Sequence, residues 1–350
     1  MQRIPYLQLQ ETIERILVQR GFSAERAALS ARLFAETTRD GVYTHGLNRF
    51  PRFLAMIDNG CVVLANAAHC SAGFGALERW EGEYGPGNLN AYAAMERACA
   101  LAREHGIGCV ALAHTNHWMR GGTYGWQAAE QGLFAICWTN TNPNMPAWGA
   151  TAATLGNNPL VLAVPRRRPD AAADDPEPWR NGPHVVLDMA ISQFSYGQID
   201  AYAKRGEELP VPGGFSKEGE LTRDPVAIRE SYRALPIGFW KGSGLALTLD
   251  LFAAMLSGGH ATHEIDPDPL RESGVSQIFV AVAPANISHA EELARTADAL
   301  IEALHDAPPV SPGVSPRYPG EETRRVREEN MQLGLPVDED VWATVCAMLL

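Results

Sequence analysis

Five short apolar segments constrain this chain more than any other feature it carries: "GCVALAH" (108–114), "LFAICWT" (133–139), "PLVLAVP" (159–165), "HVVLDMA" (184–190) and "SQIFVAVA" (276–283). Each has the length and content of a buried strand, and each is short for a helix. They alternate irregularly with helical stretches, which gather toward both ends. The pattern predicts a mixed α/β (α+β) fold with helical N- and C-terminal portions. No apolar run approaches the roughly 18–20 residues of a membrane span. The opening "MQRIPYLQLQETIERILVQRG" carries charges throughout, unlike a cleaved signal. A soluble, cytoplasmic protein is expected.

Local signals place the first helices. One runs over about 7–20 and closes at Gly21; a second, over 24–38, has Ser23 as its cap and Gly41 at its end. Pro51 suits the first turn of a third helix reaching about Asn59, and it should push Phe50 out of the α region. A helix over 88–104 stops at His105–Gly106. The stretch "RRRPDAAADDPEPWRNGP" reads as an exposed loop.

Charge narrows the partners. The net charge is −12, and the one tight basic run is Arg166–Arg167–Arg168. Nucleic acid is excluded, because phosphate binding needs clustered cations. A local arginine pocket for a small anionic substrate is not. The six cysteines (Cys61, Cys70, Cys99, Cys109, Cys137, Cys346) lie in apolar contexts with no C-x-x-C pair, and read as buried reduced thiols.

Several motifs invite a function and meet a plainer reading. "GIGCVA" (106–111) matches the dinucleotide fingerprint but follows a helix and precedes a strand, the reverse of what the motif requires; a helix C-cap is the better reading. His114 with His117, and His260 with His263, stand at metal-ligand spacing without a third ligand, so no metal is expected. "WKGSGLALTLD" sets Lys241 and a Gly-Ser-Gly turn at a helix start suited to an anion. The arginine run could hold a 2′-phosphate but reads better as a solvated face. Asp188 ends a strand-like run, where it either orients a histidine or caps a turn. His117 follows a strand in "AHTNHWMRGGTYG", where α/β proteins place ligand loops. In "DGVYTHGLNRFPRF", His45 can deliver a proton near neutral pH, and Arg49, one turn on, can hold a carboxylate by two parallel hydrogen bonds. The pair suits a carboxylate beside a reactive carbonyl.

In order along the chain, "GVYTHGLNRFPRF", "NHWMRGGTYGWQAAE", "CWTNTNPNMPAWGA", "LDMAISQFSYG", "LPIGFWKGSGLALTLD" and "GVSQIFVAV" resemble the malate/L-lactate/sulfolactate dehydrogenase family, which lacks a Rossmann fold. The resemblance spans essentially the whole chain. It implies a homodimer that uses NADH, with NADPH possible, to reduce the C2 carbonyl of a 2-oxo sugar acid. It implies a helix-rich substrate and dimerisation portion, 1–120 with 285–350, around a nicotinamide-binding portion, 121–284. His45 becomes the proton donor, with His117 and Asp188 beside the reacting centre. Arg49, Thr44 and Arg120 are the candidate substrate contacts. The cofactor segments fall on His184, Val185, Val186, Leu187, Asp188, Met189 and Ala190, on Trp240 and Lys241, and on Gly320, Glu321 and Glu322.

Some positions depart from the family's usual pattern. Thr44 stands where serine is common, Asn157 lies in "GNNP" where Gly-Thr-Asn-Pro is common, and Glu321 stands where a histidine is usual. The loop 166–183 is also longer. "NPNMPAW" and "MRGGTYGW" are expected to line the distal pocket that separates sugar acids from other 2-oxo or cyclic imine acids. A zinc hydrolase and a non-enzymatic binding module are the competing readings from other classes.

Overall fold

The computed structural model describes residues 2–172, 174–284 and 290–349. The expected return to the N-terminal portion at 285 lies outside the described residues. Helices Tyr6–Gln19 and Ala24–Arg39 pack as a hairpin, the second opened by the Ser23 side chain accepting from the Arg26 N–H. The helix Gly87–His105 ends on Gly106 at φ +86°, a left-handed C-cap leading into the strand Ile107–Asn116. The apparent fingerprint is therefore a helix stop.

All five apolar segments lie in one seven-stranded mixed sheet. Across it the strands run His69–Phe74, Leu77–Glu81, Ile107–Asn116, Ser273–Val282, Phe134–Thr139, Leu160–Val164 and Val185–Met189. Leu77–Glu81 pairs parallel with Ile107–Asn116, and the other neighbours are antiparallel. Ser273–Val282 comes last in sequence yet sits at the centre, with seven of its ten residues buried. That placement matches its lack of any polar alternation.

Helices cover both faces. Gly87–His105 and Gly122–Ala129 pack on one through Ala94, Ala98, Trp118, Tyr124 and Phe279; Trp240–Ser257 covers the other through Ala246, Leu249 and Ala253. The first three helices build a separate cluster with Leu335, Val337, Trp342 and Val345, and Gln2–Ile4 pairs with Leu335–Val337. Residues 192–236 form a small outlying lobe around Ile199, Leu209 and Ile228, closed where Ser192 bridges Pro236. Among the described residues no helix is long and apolar enough to cross a membrane.

Three local expectations are corrected. Phe50 is helical, at φ −61° and ψ −42°, despite Pro51. Its ring is fully buried against Phe34, and that burial outweighs the pre-proline preference. Cys70 is exposed, because its strand is the sheet edge and all six of its residues face solvent, whereas Cys99 and Cys137 are buried. Arg166, Arg167 and Arg168 are half-buried rather than solvated. Arg166 pairs with Asp298 at 2.7 Å, Arg167 donates to backbone carbonyls of its own loop, and Arg168 pairs with Asp175.

Candidate active site

The segment after Arg39 is shaped by two tight turns. Gly41 takes φ +81°, and Tyr43–His45 and Leu47–Arg49 then form single 3-10 turns split by Gly46. Thr38 anchors them: its hydroxyl donates to the Phe34 carbonyl and accepts from the Leu47 N–H, both at 2.9 Å. A Cβ on Gly46 would stand 2.3 Å from that hydroxyl oxygen. His45 and Arg49 thus share one cleft from two turns rather than one.

The cleft has two lobes. The larger, about 620 Å³, lies over Gly41–His45, His117–Gly121 and Asp188–Ala190; the smaller, about 380 Å³, holds Arg49, Arg52, Asn142, Asn144, Tyr232 and Glu272. Both volumes suit small-molecule sites. Thr44, His45 and His117 line both lobes. The His45 and His117 rings stack with centroids 5.9 Å apart and planes 21° apart. Burial, with Arg49, Arg120 and Arg52 nearby, pushes His45 down to about 4. Burial, with Arg49 and His45, takes His117 well below its ordinary value. Both rings are neutral in the free protein at pH 7.

Their partners differ. His117 Nδ1 accepts from the Met119 N–H at 3.0 Å, so its proton resides on Nε2. His45 Nδ1 meets the Thr44 hydroxyl at 2.9 Å, a partner that donates or accepts by rotation. In the small lobe, Glu272 faces Arg49 at 3.6 Å and Arg52 at 3.7 Å, and accepts from the Asn142 N–H at 3.2 Å. Burial and the Arg52 charge lower Arg49 to about 10, which leaves it cationic at neutral pH.

Asp188 faces the larger lobe, and its Oδ2 accepts from the Gly122 N–H at 2.7 Å at the start of Gly122–Ala129. Among the described residues no histidine bonds Asp188, and the hydrogen bond it makes is to this helix start. Enclosing protein raises its carboxyl pKa, against the lowering pull of Arg120. Arg120 lines the same lobe but donates to Asp40 at 2.6 Å, in a buried cluster where Asp40 also accepts from Arg39 and Arg327. The bond to Asp40 gives Arg120 a scaffolding role at the wall of the lobe it lines. His184 is buried, with Nδ1 accepting from the Arg166 N–H at 2.9 Å, so its ring organises the loop 166–183.

The expected cofactor segments meet only in part. Gly320 abuts the strand, a Cβ there standing 3.0 Å from the His184 carbonyl oxygen, and Val186 donates to Pro319 at 2.8 Å. Glu321 and Glu322 follow at the head of the next helix, Glu321 bonded to His305 and Glu322 to Arg325. Trp240 and Lys241 are exposed at the start of Trp240–Ser257, and neither lines the cleft. His114 pairs with Glu81 at 2.9 Å and packs edge-on against a half-buried His260. Among the described residues no three His, Cys, Asp or Glu groups could hold a metal ion.

A profile of the malate/L-lactate dehydrogenase family matches residues 4–346. The chain belongs to that family. It is 42% identical to the 2,3-diketo-L-gulonate reductase of Citrobacter koseri and 41% identical to that of Klebsiella pneumoniae, in each case over 99% of this chain and 100% of the relative. Among solved structures it is similar to the sulfolactate dehydrogenase of Methanocaldococcus jannaschii, at TM-score 0.87 and 25% identity over 99% of this chain and 97% of that one. It is also similar to the delta1-piperideine-2-carboxylate reductase of Pseudomonas syringae pvar. tomato, at TM-score 0.85 and 26% identity over 99% and 100%.

For this malate/L-lactate dehydrogenase family member, sequence reasoning passed over Arg52, Asp40 and Glu272. Arg52 was legible, three residues after Arg49 across Pro51. Glu272 was not, because "DPDPLRESG" reads as an ordinary charged loop. Of "MRGGTYGW" Met119, Arg120 and Gly121 line the larger lobe, and of "NPNMPAW" Asn142 and Asn144 line the smaller. The larger lobe fits a nicotinamide: it combines the apolar Trp118, Met189 and Ile237 with the carboxylate of Asp188 and ends on His45.

Proposed function

We propose that this protein is a cytoplasmic, homodimeric reductase that uses NADH to convert 2,3-diketo-L-gulonate to 3-dehydro-L-gulonate. The observation that carries this reading is His45 at the junction of the larger lobe and a smaller lobe lined by Arg49, Arg52 and Arg229, in a chain 42% identical end to end to a reductase of that name. The larger lobe, with residues 184–190, holds the nicotinamide end of the cofactor, and Trp240–Lys241 and Gly320–Glu322 serve its remainder. Bound NADH supplies the hydride that reduces the C2 carbonyl.

The residues of the chain do the rest. Arg49 clamps the C1 carboxylate and sets the carbonyl in reach, which contributes far more than affinity alone. His117, pinned by Met119, offers Nε2–H to the carbonyl oxygen as charge develops there. His45 gives the proton that completes the alcohol, its charged form favoured once a substrate carboxylate offsets the nearby arginines. Asp188 holds the helix start that floors the cleft. NADH is favoured over NADPH because Arg166, Arg167 and Arg168 are engaged within their own loop and with Asp298. The six unpaired cysteines suit a reducing compartment. The exposed apolar face of Trp240–Ser257, with Leu247, Leu251, Phe252 and Met255, suits a second copy. Residues 1–120 with 285–350 are proposed as the substrate and dimerisation portion, and 121–284 as the nicotinamide portion, with the Trp240–Ser257 face adding to the contact between copies.

The test is NADH oxidation by purified protein with 2,3-diketo-L-gulonate, run beside NADPH, pyruvate and oxaloacetate. Rapid turnover of the sugar acid is expected. Turnover confined to another 2-oxo acid keeps the mechanism and removes the sugar acid.

A further inference from the structure

Five charged side chains line the smaller lobe. Arg49 and Arg52 face Glu272, and Arg229 pairs with Asp200 at 2.8 Å. His45 and His117, at the junction with the larger lobe, are neutral in the free protein for the reasons already given. Three guanidiniums against two carboxylates leave one unit of positive charge, which a single substrate carboxylate cancels. A second carboxylate would stand beside Glu272, whose side chain is only 5% exposed and whose charge repels it whether or not His45 has gained its proton.

The geometry at Glu272 carries the argument further. Oε1 is held by the Asn142 N–H, and Oε2 stands 3.6 and 3.7 Å from the two guanidiniums, beyond hydrogen-bond range. Oε2 therefore keeps acceptor capacity for a donor in the lobe. A hydroxyl satisfies it; a carboxylate, which only accepts, repels it. Asn142, Asn144 and Tyr232 add amide and phenol groups on the same wall.

We propose that Glu272 is a specificity-determining residue, fitting the lobe to monocarboxylic 2-oxo acids with hydroxyl-bearing tails and excluding dicarboxylates. The inference rests on the reading that this lobe holds the acid substrate. Glu272→Gln removes the charge and keeps an oxygen for the Asn142 N–H. Arg52→Gln shifts the lobe's charge the opposite way.

Two ratios test it on the full-length protein. The first is kcat/KM for oxaloacetate over that for pyruvate. The second, which needs no turnover, is the affinity for malate over that for L-lactate by titration calorimetry. Both should rise about tenfold in Glu272→Gln and fall in Arg52→Gln, the order expected of one unit charge a few ångströms away in a partly screened site. Ratios unmoved in both variants, or moved in the same direction, overturn the proposal. Sugar-acid turnover with unmoved ratios keeps the reaction and removes the role of Glu272. Affinity ratios that move as stated, in a protein that reduces no 2-oxo acid, keep the charge rule and remove the reaction.

Discussion

Met119 donates its backbone N–H to Nδ1 of His117 at 3.0 Å, and this bond separates the roles of the two stacked histidines. His117 cannot take a second proton without losing its partner, whereas His45 faces a rotatable hydroxyl on Thr44. His45→Ala should lower reduction by about 10²–10⁴-fold while NADH binding, followed by fluorescence titration, stays intact. His117→Gln should cost less. An equal or larger loss there would move the acid role to His117.

The pH profile follows from the same ring. His45 lies at about 4 in the free protein, so its charged form is scarce at neutral pH and scarcer as pH rises. Reduction draws a proton from that form, and kcat/KM for the 2-oxo acid should decline from about pH 5 upward. Oxidation of the product needs the neutral ring and should hold level over the same range. A reduction rate that climbs between about pH 6 and 8 contradicts a proton from His45.

Arg49→Lys keeps the charge and loses the planar fork that holds a carboxylate by two bonds. Steady-state kinetics should show kcat/KM down by at least about tenfold, with kcat falling as well because the carbonyl is no longer aligned. Unchanged kinetics would remove the clamp.

Gly46→Ala introduces a Cβ 2.3 Å from the Thr38 hydroxyl oxygen and 2.8 Å from the Thr38 nitrogen. The neighbour is backbone at the end of a buried helix, so the turns carrying His45 and Arg49 must move. Stability should drop by about 1–3 kcal/mol, read by denaturant unfolding, and activity should fall further than Arg49→Lys makes it fall. Wild-type activity would show that the turns tolerate displacement.

Asp40 accepts from Arg39, Arg120 and Arg327, and these guanidiniums hold its carboxyl well below the usual carboxylate range. Asp40→Asn leaves three buried or half-buried cations short of a counter-charge, at a cost of about 3–5 kcal/mol. A depressed folded-state pKa contributes stability above the unfolded value of about 3.9, and loses it as pH falls through the folded one. The gap between wild type and variant in thermal unfolding should therefore be constant from about pH 5 to 8 and narrow only below about pH 4. A gap that closes near neutral pH would contradict this.

Much of the molecule was legible along the chain, because strand length, helix stops and proline positions are local. The apolar segments became strands, Gly106 ended its helix, and His45, Arg49 and His117 came to one cleft. Local rules failed where burial competed with them. Phe50 stayed helical before Pro51, and the arginine run is held half-buried by pairs with Asp175 and Asp298. Asp188 could not be assigned between a histidine and a turn, since its partner, Gly122, is set by which strands lie side by side. Arg120 and Arg49 look alike in sequence, and only the folded chain shows that Arg120 is paired with Asp40 while Arg49 faces Glu272 across the smaller lobe. Glu272 gains its meaning from the central strand that follows it, which carries it across more than two hundred residues to Arg49. The sequence by itself determined the elements and the chemistry on offer. Tertiary structure decided which charges were neutralised inside the fold and which were left facing the cleft, because Coulomb interactions depend on distance in space rather than along the chain.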